Sequence, residues 1–315
     1  MEGVIDALTR ELLTIEEGLD WTVTEFVRVV DARLPPRVFH RHCPELHQPR
    51  VATPSGVPVH LQLLGADPEA LAANARQAVR LGATGLDMNF GCPAKTVNRH
   101  DGGASLLRDP ARVQRAVAAV VRAAEGRIPV TAKVRLGFAD RRLALACAQA
   151  AEAGGAHHLV VHARTRDEGY RPPAHWEWIA RIRSRLAIPV IANGDIWTLE
   201  DYWKARSLSG CRDVMLGRGV LADPRLPQRI RHWQRTGERL PDTPWAARAA
   251  ILTAYAERRR ASLPDKVVVA LLKQWLNQMR SRDAEAARRF AALRRETRLA
   301  PFIAGLRASS MAAPA

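Results

Sequence analysis

Short β-rich runs and longer amphipathic stretches alternate regularly through residues 1–240, and run after run ends on a polar residue. The strand-like runs are Val23–Val30, Val57–Leu64, Gly85–Asn89, Val130–Leu136, His158–His162, Val190–Asn193 and Asp213–Leu216. Between them lie helix-like stretches such as Pro68–Leu81, Pro110–Glu125, Arg141–Ala153 and Glu200–Leu208. Such alternation predicts parallel strands joined by crossover helices. Two α/β architectures compete. A doubly wound sheet gathers its polar groups at one switch point. A (β/α)8 TIM barrel builds its site on one rim, from many strands. Here the polar residues close strand after strand, so the barrel is the expected fold. Seven strands are counted, and the missing one is the first, because Met1-Glu2-Gly3-Val4 runs straight into a helix-like stretch, Val4–Leu13. The expectation is a barrel with a truncated first strand and a true start upstream of Met1.

Pro241 to Pro244 read as a linker, and the pattern beyond is helical over Trp245–Arg260, Asp265–Ser281 and Asp283–Arg298. Asp265 and Asp283 are expected N-caps. Leu271, Leu272, Trp275, Leu276 and Met279 follow helical spacing and are expected to face a core. The expected organisation is a barrel over 1–240, a small helical-bundle domain over 241–308 and a disordered tail over 309–315.

The net charge of +16 points to a polyanionic partner, most often nucleic acid. Arginine supplies 43 of the 48 basic residues, and such a bias also fits solvated basic faces. The excess is densest beyond residue 240, where 14 basic residues meet 6 acidic ones. Cys43, Cys92, Cys147 and Cys211 lie far apart with no Cys-x-x-Cys pair, which argues against a metal site or a disulfide framework and fits a reducing cytoplasm. No signal-peptide pattern opens the chain, and no apolar run is long enough to span a bilayer.

The sharpest stretch is 87–105, where an apolar run closes on Asn89-Phe90-Gly91-Cys92-Pro93 and a basic, glycine-rich loop follows. A lone cysteine is usually a packing thiol. One displayed on a strand-end turn beside a cation, here Lys95, is a candidate for chemistry. Lys133 and Arg135 are spaced by two and share one side of a strand, a costly place for two cations unless a ligand compensates. The last two strand ends read Asn193-Gly194-Asp195 and Gly217-Arg218. Loops at those positions of a barrel commonly bind phosphate through backbone N–H groups. Gln62 suits a heteroaromatic ring and equally suits a satisfied core amide. His162, taken alone, reads as a structural histidine.

Taken together, residues 85–105, Lys133-Val134-Arg135-Leu136-Gly137, Val161-His162-Ala163-Arg164-Thr165, Ile191–Ile196 and Met215–Gly219 resemble the tRNA-dihydrouridine synthases. Thr24–Asp31, Val38–Arg41 and Lys273–Leu276 are most similar to the bacterial C-type branch, which modifies uridine 16 of the D-loop. The resemblance implies a flavin-dependent reduction of the uridine C5–C6 double bond. FMN would lie on the rim and NADPH would be the reductant, with hydride delivered to C6 and Cys92 as proton donor to C5. Gln62, Lys133 and His162 would contact the flavin ring. Asn193, Gly194, Asp195, Gly217 and Arg218 would hold its phosphate. Met1 and Glu2 stand where the family has a strand end that also meets the flavin. Asn89 and Arg135 would orient the target base, with Lys95 and Tyr170 as further substrate contacts. Arg28, Lys273 and Arg294 match positions that touch tRNA. Leu271 and Gln278 depart from tRNA-contacting positions of that branch. A base inside folded tRNA must be extruded to react, and a basic helical domain would supply phosphate contacts. No membrane, metal or obligate protein partner is implied. The alternatives are another FMN barrel acting on a small molecule, and a tRNA-binding protein whose chemistry is impaired by the truncation.

Overall fold

The protein is described here by a computed structural model covering residues 3–99 and 101–308. Met1 and Glu2, expected near the flavin, and the tail 309–315 lie outside the described residues. Contacts divide the chain into two units, one of Met1–Arg10, Leu19–Ile196 and Glu200–Gly217, the other of Glu11–Gly18, Trp197–Leu199 and Arg218–Ala315.

The first unit is built on a curled parallel sheet. Its strands are β1 (Thr22–Val23), β2 (Val27–Arg28), β3 (Val59–Leu64), β4 (Leu86–Phe90), β5 (Val130–Arg135), β6 (Leu159–His162), β7 (Val190–Asn193) and β8 (Val214–Met215). The order is β1-β3-β4-β5-β6-β7-β8, with β2 also paired to β3. Every strand pair is parallel. The architecture is that of a TIM barrel with seven strand positions, and among the described residues β1/β2 and β8 are the edges. One face of the central strands is apolar, as parallel strands covered by helices require, while the other carries polar groups between its apolar ones. In β3, Val59, Leu61 and Leu63 are buried on one face while His60, Gln62 and Leu64 share the other.

The run Val23–Val30 does not form one strand. Thr22 pairs with Val59 but Val27 with Leu63, so the edge takes five steps where β3 takes four. The extra residue is a bulge. Thr24 explains it: its hydroxyl oxygen accepts the Gln62 N–H at 3.0 Å, a bond that an unbroken ladder gives to a carbonyl.

The outer helices begin where capping chemistry places them. Asp67 accepts the Ala70 N–H at 2.6 Å before the helix Pro68–Arg80, and Asp109 accepts the Ala111 N–H at 2.9 Å before Pro110–Ala124. A proline at the first helical position follows each cap.

The second unit holds helices Arg218–Ala222, Leu226–Thr236, Trp245–Arg259, Asp265–Met279, Ala284–Leu293 and Leu299–Arg307. The expected helix over 283–298 ends early and a further one follows. Pro301 lacks an N–H and tolerates only the first turn of a helix, so the backbone restarts at Leu299. Asp283 caps as expected, accepting the Ala286 N–H at 2.7 Å. Asp265 does not, because Pro264 occupies the cap position and Asp265 is the first helical residue. Leu272, Trp275, Leu276 and Met279 are buried, and Leu271 is half-buried. Asp223 binds Arg229 at 2.8 Å and accepts from the Thr243 hydroxyl at 2.5 Å, and Arg248 binds Asp283 at 2.8 Å. The Thr243 bond, with Arg229 also pairing to Asp242, pins the segment read as a linker. No helix among the described residues is long and apolar enough to cross a membrane.

Candidate active site

Register aligns the polar groups in rows across three strands. Gln62 of β3 lies beside Asp87 of β4, and Asp87 beside Thr131 of β5. One step up the same face, Asn89 lies beside Lys133. The side chains then link into one chain of hydrogen bonds. Thr131 Oγ1 donates to Asp87 Oδ1 at 2.6 Å, and Gln62 Nε2 donates to Asp87 Oδ2 at 2.7 Å. Asn89 Nδ2 donates to Gln62 Oε1 at 2.8 Å, and the Gly91 N–H donates to Asn89 Oδ1 at 2.9 Å. The chain therefore runs from a buried carboxylate to the turn that carries Cys92.

That turn is held from several sides. The Cys92 carbonyl accepts Asn98 Nδ2 at 3.0 Å and the Ala104 N–H at 3.2 Å. Gly103 has φ +63, and a Cβ there would come within 3.0 Å of Cys92 Cβ, so only glycine fits both the backbone and the space. Cys92 is partly buried, packed with Ala94 against Phe26, Leu64 and Val97. Lys133 and Arg135 both lie within electrostatic reach of it. Cys43, Cys147 and Cys211 are buried, and burial raises each of their thiol pKa values, to about 12 for Cys43 and Cys147.

Arg135 is almost wholly buried and acts as a clip. Its Nε donates to the Gly91 carbonyl at 2.8 Å, and its Nη1 donates to Thr165 and Gly169 carbonyls at 3.0 and 2.9 Å. It thereby joins the Cys92 turn to the loop bearing Tyr170. The Tyr170 ring lies 5.3 Å from the guanidinium carbon and meets His162 edge-on at 6.2 Å. Glu168 holds that loop through Thr165 and Arg141.

Lys133 is half-buried, and its desolvation with repulsion from Arg135 lowers its pKa to about 8, against attraction from Asp87 and Cys92. It donates no hydrogen bond to any described residue. For Asp87, burial raises the pKa, opposed by the Thr131 and Gln62 hydrogen bonds and by Lys133.

At the next strand end, Asn193 Nδ2 donates to the Met215 carbonyl at 2.8 Å. Gly194 and Asp195 both have positive φ, and a Cβ on Gly194 would lie 3.4 Å from the Ala163 nitrogen. Asp195 pairs with fully buried Arg164, whose Nη1 has no hydrogen-bond partner among the described residues.

The structure therefore brings Gln62, Asn89, Cys92, Lys133, Arg135, His162 and Tyr170 into one constellation, with Asn193, Gly194 and Asp195 on the adjoining strand end. Arg28 reaches the Thr96 carbonyl at 3.5 Å, and exposed Lys95 opens the same short helix. Gly217 follows β8. Arg218, Lys273 and Arg294 belong to the second unit, where Arg218 lies over the Trp197 ring at 4.8 Å. Asp87, Thr131 and Arg164 are the functional candidates that sequence reading passed over. The alternation of Asp87 with Asn89, inside an apolar run, was the available signal.

The model of the family described as Dihydrouridine synthase (Dus) matches residues 1–298. The chain belongs to the dihydrouridine synthase family. Among family relatives, the tRNA-dihydrouridine(16) synthase of Ralstonia nicotianae is 48% identical over 94% of this chain and 90% of its own length. That of Aquipseudomonas alcaligenes is 46% identical over 94% and 93%. That of Escherichia coli O157:H7 is 45% identical over 93% and 91%. Among solved structures, a histamine dehydrogenase from Rhizobium sp. 4-9 is similar in fold, with a TM-score of 0.54 at 14% identity over 72% of this chain and 43% of that one.

Proposed function

We propose that the chain reduces the C5–C6 double bond of a D-loop uridine in tRNA, at position 16, in the cytoplasm, with FMN as cofactor and NADPH as reductant. The observation that carries this reading is the Cys92 turn, fixed at the end of an amide chain and faced by Lys133 and Arg135, in a member of this family.

The residues present fit a flavin. Gln62 and Asn89 each keep a second N–H for a heteroaromatic edge. Lys133 is a half-buried cation with no hydrogen-bond acceptor among the described residues. Gly194 keeps the backbone open, and Arg164 keeps a buried N–H unused beside it. Gln62, Lys133 and His162 would hold the ring, and Asn193, Gly194, Asp195 and Gly217 the phosphate. FMN, when bound there, supplies the hydride for C6.

The rest of the reaction falls to the chain's own groups. Cys92 holds a proton on its thiol and delivers it to C5, which needs access rather than a histidine partner. Asn89 and Arg135 fix the turn from which that thiol projects, and so its distance to the base. Tyr170, 49% exposed, presents a flat face beside them for an extruded uracil. Arg28 and Lys95 near the turn, with Lys273 and Arg294 of the helical region, would meet phosphates and give affinity without sequence information.

Cys92→Ala tests this reading. The variant is expected to remain yellow and to oxidise NADPH, but to lose about a hundredfold or more of dihydrouridine formation at position 16, in line with loss of a general acid. Unchanged tRNA turnover would remove the proton-donor role. Dihydrouridine mapped elsewhere in the tRNA would remove the position.

A further inference from the structure

We infer that Asp87 is a positioning residue for the cofactor: its carboxylate fixes which end of the Gln62 amide faces the flavin and, through Asn89, orients the turn that carries Cys92. The inference rests on the flavin reading above and assigns a role to a residue buried beneath that site.

The argument starts from the geometry of a primary amide. Its oxygen and nitrogen are nearly alike in shape and opposite in hydrogen bonding, so a half-turn about the last side-chain bond exchanges donor for acceptor. A flavin edge placed against Gln62 meets one pattern or the other, according to that half-turn. Something in the protein has to choose.

Asp87 chooses. Its Oδ2 lies 2.7 Å from Gln62 Nε2, and a carboxylate only accepts. The nitrogen of Gln62 must therefore point down to Asp87, which leaves Oε1 to accept from Asn89 Nδ2 at 2.8 Å. That in turn leaves Asn89 Oδ1 to accept the Gly91 N–H at 2.9 Å, one residue before Cys92. Each bond in the series has its direction set by the one beneath it, and the series ends on a backbone N–H, which only donates. The two fixed ends agree on one polarity. Thr131 holds the other carboxylate oxygen at 2.6 Å, so Asp87 cannot swing away. At 1% exposure Asp87 has no water to consult, and its burial without a role would be expensive. Burial raises the Asp87 pKa, and the Thr131 and Gln62 bonds, with the Lys133 cation one step up the same face, oppose that rise. With the Gln62 N–H as its partner, Oδ2 accepts in either protonation state.

Three substitutions separate this role from a plain structural or charge role. Asp87→Asn keeps an oxygen for Gln62 and can turn its own N–H toward Thr131, so its FMN dissociation constant, read by flavin fluorescence, is expected within about threefold of the parent. Asp87→Leu removes the acceptor, and a loss of about tenfold is expected, together with a shift of the flavin's visible band. The loss is expected to vanish in the background of Gln62→Leu, because Asp87 acts through that amide. Equal losses in Asp87→Asn and Asp87→Leu would overturn the inference in favour of charge. Additive losses in the Asp87→Leu, Gln62→Leu cycle would also overturn it.

Should Asp87→Leu fail to fold, a swap keeps the question open to decision. Gln62→Glu places two acceptors face to face and is expected to lose flavin. Adding Asp87→Asn supplies a donor again, and part of the affinity is expected to return. No recovery would overturn the inference. A parent protein that binds FMN but leaves tRNA unreduced removes the tRNA reading and not this one. A parent that binds no FMN removes both.

Discussion

Strands β3 and β6 carry polar or titratable groups at both ends, and the two ends of the sheet handle them in opposite ways. At the amino end, His60 and His158 pack around Trp21, at ring separations of 6.1 and 5.4 Å, with His157 edge-on to His158. Two residues along β3 and four along β6, on the same faces, stand Gln62 and His162. The floor accepts what burial demands. Burial lowers the pKa of His60, and burial with repulsion from His157 and His60 lowers that of His158 to about 4. Both shifts favour the neutral rings of His60 and His158, which behave as aromatic filling. The rim resists the same demand. Lys133 is desolvated as well, yet Asp87 and Cys92 offset part of the shift and its pKa stays at about 8. The floor is an aromatic stack, while the rim keeps a cation that no acceptor among the described residues hydrogen-bonds, as the proposed flavin site requires.

The largest expected effect comes from removing that charge. Lys133→Met is expected to weaken FMN binding about a hundredfold, the scale of a lost charge-assisted hydrogen bond in a dry site. The same variant is expected to stabilise the flavin-free protein by about 1 kcal/mol, because it deletes a desolvated cation. FMN affinity in the parent should also fall as pH rises through 8, when Lys133 loses its proton, and Lys133→Met should flatten that profile. Thermal and denaturant unfolding of the flavin-free protein, beside flavin titrations, checks both halves. A destabilised variant would break the contrast, since the rim would then be as structural as the floor.

The floor gives the next effect, with the reverse pattern. His158 binds its proton less readily folded than unfolded, where the ordinary value is 6.5. The unfolded state therefore holds more protons between pH 6.5 and 4, and stability is complete above that window and lost as pH falls through it. With solvent screening of this partly exposed ring, the loss from this residue is expected to reach roughly 2 kcal/mol at most. His158→Phe keeps the ring and is expected to remove most of that loss with FMN affinity unchanged at pH 7. Urea midpoints at several pH values decide it. An acid profile that His158→Phe leaves untouched would place the sensitivity elsewhere.

The same contrast explains what could be read in the sequence. The sheet and its helices were legible because strand runs and Asp-Pro helix starts are local signals, and Asp67 and Asp109 cap as such signals require. The rim was legible because cations and amides are out of place in apolar runs, as Lys133 and Gln62 show. The bulge between β1 and β2 was not, since it depends on Thr24 meeting the Gln62 N–H 38 residues away. The floor was not legible either, because His60 and His158 look polar until Trp21 covers them. Asp87 sat within the most informative stretch and was still passed over, because its partners lie on two other strands.

The smallest effect tests whether the rim acts as one piece. Arg135 reaches the Gly91, Thr165 and Gly169 carbonyls with one planar fork, and a lysine, being a point charge on a flexible stem, has no fork to bridge all three. Arg135→Lys is therefore expected to keep the positive charge and the fold but to loosen residues 165–170. Their amides should exchange with solvent about tenfold faster, a local cost of about 1.4 kcal/mol. Tyr170 should lose its fixed place beside His162, which raises the tRNA concentration needed for half-maximal rate more than it lowers the rate itself. Hydrogen exchange resolved by peptide gives the decisive reading. If amides at 157–160 accelerate as much as those at 165–170, the clip belongs to the whole sheet and the two ends are not independent. If only the loop and the Cys92 turn respond, Arg135 orders the rim alone, and the base meets a surface that is assembled by side chains and only supported by the barrel beneath.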